Sequence, residues 1–330
     1  MKLKMMRGLS AAGAALVAAT MFAGGAVAQD PVKLTFADVT QANAPRSVAL
    51  TDIFAKEIGD EFEFEPYFGG TLLKQGSELT AIRRGNLDMA LLPPSDLANQ
   101  VPEFSILSAA YLVRDADHLN KIFESDIGEE FRQLAREELG VEILAPAYYG
   151  TRQVNLRGDK KIQTPEDMNG IKLRMPGGES WQFLGESIGA NPVPMPYTEV
   201  YTGLQTGVID GQDNPLPNDK QMKFYEVTDQ IVLTSHNVGF GLLLINADLF
   251  ASLSEEQQER MRAAAQKAFE WSDQQYLDQE EDLVEFFKQE GLEVYTPDVE
   301  AFRKYSNQKY RESSLSDSWP DGMLERINAL

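Results

Sequence analysis

The 330-residue chain contains no cysteine, only two histidines, and 30 basic against 51 acidic side chains, for a net charge of −21. The absence of cysteine excludes disulfide bonds, thiol nucleophiles and cysteine-ligated metals. The shortage of lysine and arginine argues against nucleic acid as a partner, because phosphate binding needs a dense basic patch. Neither a phosphate-binding loop nor a dinucleotide-binding glycine motif occurs, and the histidines lack metal-ligand spacing. We therefore expect no cofactor and no metal.

Long apolar runs are also scarce. The one near the start, Gly8 to Phe22, falls short of the roughly 20 residues that a membrane helix needs. It follows three basic residues and precedes Ala26-Val27-Ala28, whose small-x-small form suits signal peptidase. These features predict a signal peptide over residues 1–28, a mature chain from about Gln29, and a periplasmic protein without a membrane anchor.

Strand-like segments alternate with helical ones along the rest of the chain, a pattern typical of parallel α/β units. The predicted strands are Val32 to Ala37, Phe62 to Tyr67, Asp88 to Leu92, Val141 to Ala145 and Ile171 to Met175. A mature chain of about 300 residues is too large for one typical core and predicts two lobes. We expect one lobe to comprise residues 29–151 and about 241–275. The other would comprise residues 152–240 and about 276–330.

One very long helix is predicted near the carboxyl end. No glycine or proline occurs between Ser254 and Glu290, Ser254 and Gln257 form an S-x-x-Q capping box, and Gly291 supplies a stop. At about 1.5 Å per residue the helix would extend roughly 55 Å, which exceeds one lobe and predicts a lobe-spanning helix. The alternative is two helices joined near Ser272-Asp273.

A hydrolase-like motif, Gly185-Glu186-Ser187-Ile188-Gly189, occurs in the wrong context. The G-x-S-x-G elbow requires a strand directly before the serine. Here Trp181, Leu184 and Ile188 recur at helical spacing instead. We expect a non-enzyme with no catalytic residue, and keep an exported serine hydrolase using Ser187 as a remote alternative.

Arginines stand out against so many acids. Arg174 lies in the segment Ile171 to Met175, where the odd positions are apolar and Arg174 faces the other way. Arg152 lies where one predicted lobe passes to the next. A guanidinium stays charged when buried and presents a planar fork that matches a carboxylate. Both arginines are candidates for binding an organic acid, with a structural salt bridge as the alternative for each.

Four fragments resemble the solute-binding proteins of tripartite ATP-independent periplasmic (TRAP) transporters, the DctP-type family. They occur in the family's order and span most of the mature chain. The fragments are Gly85 to Met89, Ile171 to Pro176, Gly189 to Met195 and Tyr197 to Pro215. The resemblance implies an α/β periplasmic-binding-protein fold whose two lobes close over an organic acid.

The resemblance also implies roles for particular residues. In the family, the arginine corresponding to Arg174 holds the substrate carboxylate, the asparagine corresponding to Asn214 contacts the ligand, and Arg152 matches a second ligand-binding arginine. Asp213 replaces a glutamate common in relatives. Other polar residues are expected at the pocket edge, where this chain departs from the family pattern: Lys74 and Gln75 in the segment Leu73 to Glu78, and Gln41 with Asn43 in the first loop.

The predicted substrate is a polyhydroxylated monoacid such as a uronate or aldonate, because the residues expected at the pocket edge are mostly polar and neutral. A C4-dicarboxylate is the alternative, with Lys74 or Arg152 taking the second carboxylate. The resemblance implies the membrane subunits of a TRAP transporter as the protein partner. A sensor that passes a ligand signal to a kinase has the same sequence features and stays open.

Overall fold

Nine strands form one mixed sheet in the structure, a computed structural model that describes residues 30–330. Residues 1–29, which include the predicted signal peptide and its cleavage site, lie outside the described part. In residues 30–330 no helix combines the length and apolar character needed to cross a membrane.

The strand order places two long strands at the centre of the sheet. The order is β2-β1-β3-β8-β4-β7-β5-β6, and β9 pairs with β8. Parallel pairs occur on both sides, with β1 beside β2 and β3, and β5 beside β6 and β7. The strands are β1 Val32–Ala37, β2 Phe62–Tyr67, β3 Met89–Leu92, β4 Val141–Leu156, β5 Lys172–Met175, β6 Asn191–Pro194, β7 Gly211–Pro215, β8 Gln230–Asn246 and β9 Glu293–Tyr295.

Helices connect and cover these strands. A π-helical turn, Leu50–Phe54, joins α1 and α2 into one continuous segment. The helices are α1 Pro45–Ala49, α2 Ala55–Glu57, α3 Glu78–Arg83, α4 Pro94–Ala98, α5 Ala116–Glu124, α6 Asp126–Leu134, α7 Glu179–Ser187, α8 Val200–Thr206, α9 Leu216–Gln221, α10 Ala247–Ala251, α11 Glu255–Gln289, α12 Val299–Arg311 and α13 Met323–Asn328.

The two central strands carry the chain between the halves of the molecule. β4 and β8 have 16 and 17 residues and run antiparallel over their whole length. One end of the pair joins β3, and the other joins β7. The result is the expected two-lobed α/β fold. The predicted strand Val141 to Ala145 was too short, because the polar residues after position 150 interrupt the apolar pattern although the structure buries most of them.

Helix α11 confirms the predicted long helix and its start. It is continuous over 35 residues, so the alternative of two helices joined near Ser272-Asp273 is wrong. Gln257 N–H donates to Ser254 Oγ over 3.3 Å, and Ser254 N–H donates to Gln257 Oε1 over 3.0 Å, which completes the capping box. α11 packs on α1 near one end of the molecule and on α9 and β9 near the other.

Two carboxyl groups of α11 fasten it to the crossing strand β4. Asp273 Oδ1 accepts from the backbone N–H of Tyr148 over 3.0 Å. Glu280 accepts from Thr151 N–H over 2.6 Å and from the Tyr148 hydroxyl over 2.8 Å. These contacts lie where β4 passes between the halves, so they hold α11 against β4 at that point. The division into lobes at the predicted residue numbers stays a prediction.

Candidate functional site

A cavity lies between the two halves, beside the crossing strands. It encloses about 790 Å³ of space not occupied by atoms, its open mouth included. The end of β3 and the start of α4 contribute Leu91 to Asp96 to its wall. β4, β5 and β7 contribute Arg152, Arg174 and Asn214. Polar side chains from both halves therefore converge on one space.

Arg174 on β5 is the cavity arginine without a counter-charge. Its side chain is completely buried. Its Nε–H donates to the carbonyl of Met195 over 2.7 Å, and a terminal nitrogen donates to Gln75 Oε1 over 3.3 Å. No carboxylate that the structure describes forms an ion pair with it. Burial lowers the pKa of Arg174 from 12.5 to about 10, although the charges of Asp213 and Asp96 act in the opposite direction. The guanidinium is held in place but not neutralised.

Arg152 on β4 is neutralised by Asp213 on β7. The guanidinium donates to both carboxylate oxygens, over 2.6 and 3.0 Å, and stacks 4.9 Å from the centroid of the Trp181 ring. His236 approaches the same carboxylate at 3.1 Å. Burial acts to raise the pKa of Asp213, but Arg152 and His236 hold it well below its usual range. This pair is a buried, fully paired unit at the back of the cavity.

A third arginine, Arg46 at the start of α1, also lines the cavity and is likewise paired. It donates to both oxygens of Asp38 over 3.1 and 3.3 Å, and its guanidinium lies 4.3 Å from the Tyr149 ring centroid. Burial acts to lower the pKa of Arg46, but Asp38 raises it above its usual value. Of the three guanidinium groups in the wall, Arg174 alone lacks a carboxylate.

Asn214 belongs to β7, a strand without an apolar pattern. All five residues of β7 are buried. The Asn214 amide donates to Gln212 Oε1, and its carbonyl oxygen accepts from Asn218 over 3.4 Å. Gln212 in turn donates to Asp219 over 2.8 Å. These polar residues form a strand because their side chains satisfy one another inside the protein.

The seven residues predicted to bind substrate fall into two groups. Arg174, Arg152, Asn214 and Gln75 line the cavity. The other three do not. Lys74 is exposed, Gln41 contacts Met222 with its amide nitrogen 3.9 Å from the sulfur, and Asp213 lies behind Arg152. Direct contact of these three residues with a ligand stays a prediction.

Several polar side chains in the cavity wall were not expected from the sequence. Ser95 and Asp96 could have been expected, because Pro93-Pro94 marks the end of β3 and α/β folds bind ligands at the carboxyl ends of their strands. The sequence holds no comparable indication for the other residues. The missed residues are Asp38, Arg46, Glu78, Ser95, Asp96, Tyr197, Asn218 and Asn237.

The serine of the G-x-S-x-G motif has no catalytic surroundings. Ser187 lies at the end of α7, is buried, and donates to the carbonyl of Leu184 over 2.8 Å. His118 bonds to Ile327 and Arg114, and His236 bonds to Asp213 and Thr234. Neither histidine serves Ser187 as a base. Within residues 30–330 no group of three or more carboxylates or histidines is arranged to hold a metal ion.

A two-lobed α/β protein whose cleft presents one buried, unneutralised guanidinium has the construction of a binding protein for a small anion. Solved structures agree with this class. The fold matches a TRAP periplasmic solute-binding protein of Roseobacter denitrificans with bound 3-deoxy-D-manno-oct-2-ulosonic acid, at a TM-score of 0.89 and 40% identity, over 91% of this chain and 99% of that one. It also matches a protein of the same description from Xanthobacter autotrophicus with bound β-D-galacturonate, at a TM-score of 0.80 and 26% identity, over 90% and 99% of the two chains.

Residues 36–317 match the DctP model, bacterial extracellular solute-binding protein, family 7, and the chain belongs to this family. Among curated relatives, the sialic acid-binding periplasmic protein of Vibrio cholerae is 32% identical over 80% of this chain and 81% of its own length. The 2,3-diketo-L-gulonate-binding periplasmic protein of Escherichia coli is 28% identical over 81% of each chain. The resemblance drawn from the four sequence fragments is confirmed.

Proposed function

We propose that this protein captures a polyhydroxylated sugar acid, such as a uronate, an aldonate or a keto sugar acid, in the periplasm. It then delivers the acid to the membrane subunits of a TRAP transporter. The observation that carries the proposal is the buried guanidinium of Arg174, which faces the cavity with no carboxylate partner. A buried charge without a partner is costly, so a counter-charge supplied by the ligand is its natural complement.

The ligand carboxylate is assigned to Arg174. The Arg174 Nε–H donates to the Met195 carbonyl, and one terminal nitrogen donates a hydrogen bond to Gln75 Oε1. The remaining N–H groups are available to carboxylate oxygens. A charge-assisted bond to a guanidinium is strongest where water is excluded. The Gln75 amide, which also accepts from Tyr197 N–H over 2.7 Å, holds the edge of this carboxylate site.

A monoacid fits this cavity better than a C4-dicarboxylate. The guanidinium groups of Arg46 and Arg152 are already paired, and Lys74 lies outside the cavity wall. A second carboxylate would therefore meet no free positive charge. Neutral amides, those of Asn214 and Asn237 among them, are suited to hydroxyl groups because each amide both donates and accepts. The sugar acids that the relatives bind support the same class.

Binding is coupled to closure of the two halves. Side chains from opposite sides of the cleft are in contact. The Trp181 indole N–H donates to Asp96 over 3.0 Å, and the Gln221 amide donates to Asn43 over 3.0 Å. A ligand that touches both walls stabilises this closed arrangement through contacts it cannot make in an open one. The closed form is the state we assign to recognition by the membrane subunits.

A thermal-shift and calorimetric panel tests the proposal. The probes are 3-deoxy-D-manno-oct-2-ulosonate, D-galacturonate, L-galactonate and succinate, each titrated into the purified mature chain. At least one of the three sugar acids is expected to bind and raise the melting temperature, since ligand that binds only the folded state stabilises it. Succinate is expected to give a much smaller shift. Binding of succinate alone, or of none of the four, would contradict the proposal.

A further inference from the structure

Two hydroxyl groups in the cavity wall have no hydrogen-bond partner. The Ser95 side chain is 1% exposed and that of Tyr197 is 5% exposed, and neither Ser95 Oγ nor the Tyr197 hydroxyl finds a partner among residues 30–330. Both residues line the cavity. A buried hydroxyl left unpaired is unfavourable, so the pair indicates polar ligand groups beyond the carboxylate held by Arg174.

Two carboxyl groups, those of Glu78 and Asp96, line the same cavity and form no ion pair with a described residue, although the charge of Arg174 acts to lower the pKa of Asp96. Glu78, at the start of α3, is 3% exposed, and its Oε2 accepts from Gly76 N–H over 2.7 Å. Asp96, in α4, accepts from the Trp181 indole across the cleft. Burial raises the pKa of Glu78 to about 7 and that of Asp96 to about 6, and the charges of Asp96 and Asp38 further raise the pKa of Glu78. The pKa of Glu78 therefore depends on the charge of Asp96.

The chemistry of this cluster favours ligand hydroxyls. A carboxyl group accepts hydrogen bonds from hydroxyls, and Ser95 both donates and accepts. A ligand ammonium is less suited, because it cannot accept from Ser95 or Tyr197 and would enter a cavity that already holds three guanidinium groups. A second ligand carboxylate is least suited. At neutral pH it would face the Asp96 carboxylate and a Glu78 that is charged about half of the time, and like charges at short range in a dry site repel.

We infer that Glu78, Ser95 and Asp96, here called the acid wall, form a subsite that recognises a ligand diol and rejects a second carboxylate. The inference rests on the proposed function, because it concerns the same cavity and the same ligand. Arg174 binds a carboxylate without regard to the rest of the ligand, whereas the acid wall selects which groups the ligand carries at its other end. Specificity of this kind combines an attractive contact for the right ligand with a repulsive one for its competitor.

The test compares D-erythronate with succinate by isothermal titration calorimetry. Each has four carbons, but one ends in hydroxyls and the other in a second carboxylate. 3-Deoxy-D-manno-oct-2-ulosonate serves as a larger hydroxylated probe. The wild-type protein is expected to prefer both hydroxylated probes over succinate by at least about 100-fold, since each repulsive or missing contact is worth roughly one to two decades in affinity.

Variants of the wall separate its attractive and repulsive parts. The double variant Glu78→Gln, Asp96→Asn is expected to bind succinate more tightly and the hydroxylated probes more weakly. The ratio of the two affinities should therefore fall at least about tenfold. Ser95→Ala is expected to weaken the hydroxylated probes by roughly tenfold and leave succinate unchanged. Glu138→Gln, on the exposed surface, is the matched control, and thermal unfolding verifies that each variant folds.

The outcomes distinguish this inference from the proposed function. An unchanged preference in the double variant, with hydroxylated probes still bound, overturns the acid wall and leaves the carboxylate site intact. Failure of wild-type protein to bind any probe contradicts the proposed function itself. Tighter binding of 6-amino-6-deoxy-D-gluconate than of D-gluconate would also overturn the inference, since it would assign the wall to an ammonium.

Discussion

Replacing Arg174 by methionine should separate ligand binding from folding. In the ligand-free protein the pKa of this guanidinium is lowered by burial from 12.5 to about 10. At about 1.4 kcal/mol per pKa unit, burial of the charge opposes folding by about 3 kcal/mol. Removing the side chain also loses the hydrogen bonds that the charged guanidinium donates to Met195 and Gln75, each worth about 1.5 kcal/mol. The two effects are of similar size, so ligand-free Arg174→Met should be about as stable as wild type.

Binding should respond in the opposite direction. Truncating one partner of a buried, hydrogen-bonded charge pair costs about 2–5 kcal/mol, which weakens affinity by a factor of roughly 30 to several thousand. Arg174→Lys should recover little of this, because a point charge on a flexible chain cannot present the planar fork. Calorimetry with the sugar acid that binds best in the panel measures the affinity, and urea unfolding measures the stability.

The matched control is Arg84→Met, which removes an exposed arginine and should change neither quantity. An Arg174→Met protein that binds the acid within about fivefold of wild type would refute the assignment of the carboxylate, because a shift that small is below the weakest charge-pair loss. A marked loss of stability in the ligand-free variant would refute the reasoning about the unpaired charge.

Three further predictions concern structure and pH. Asp213→Asn should lower the free energy of unfolding by about 3–5 kcal/mol in chemical denaturation, since it leaves Arg152 buried without its counter-charge. Burial raises the pKa of Asp273 to about 7, so folding takes up a proton and this contribution to stability is lost as the pH rises from about 4 to about 7. Urea unfolding across that range should show the loss, and Asp273→Asn should reduce it. Ser254→Ala removes the cap of α11 and should cost about 1 kcal/mol in thermal unfolding, whereas Ser252→Ala should cost less.

Features that depend on local pattern were predictable from the sequence. The alternation of apolar residues located β1 and β2 at their observed bounds, and the capping box with the absence of glycine and proline located α11. Arg174 was a candidate because it is a charged residue between the apolar Leu173 and Met175 in a short strand, and the structure buries it without an ion pair among the described residues. In each case neighbouring residues carry the information.

Features that depend on distant pairing were not predictable. β7 and the far half of β4 are polar, and their burial depends on partners such as Arg152 and Asp213, which are 61 residues apart in the chain. The position of Arg46 in the cavity wall was not predictable either, because its ion pair with Asp38 depends on how the loop between them folds. The loop residues Lys74 and Gln41 were expected at the pocket edge because of their polarity. Polarity does not determine which way a loop side chain points, and the cavity wall includes neither.

A crystal structure of the mature protein with a sugar acid from the panel tests the role of Arg174 most directly. We expect a closed cleft with the ligand hydroxyls toward Ser95 and Glu78. The ligand carboxylate should lie within about 3 Å of the Arg174 guanidinium nitrogens, the ordinary range of charge-assisted bonds. Arg152 should remain paired with Asp213. A carboxylate bound instead to Arg46 or Arg152, with Arg174 left unpaired, would contradict this expectation.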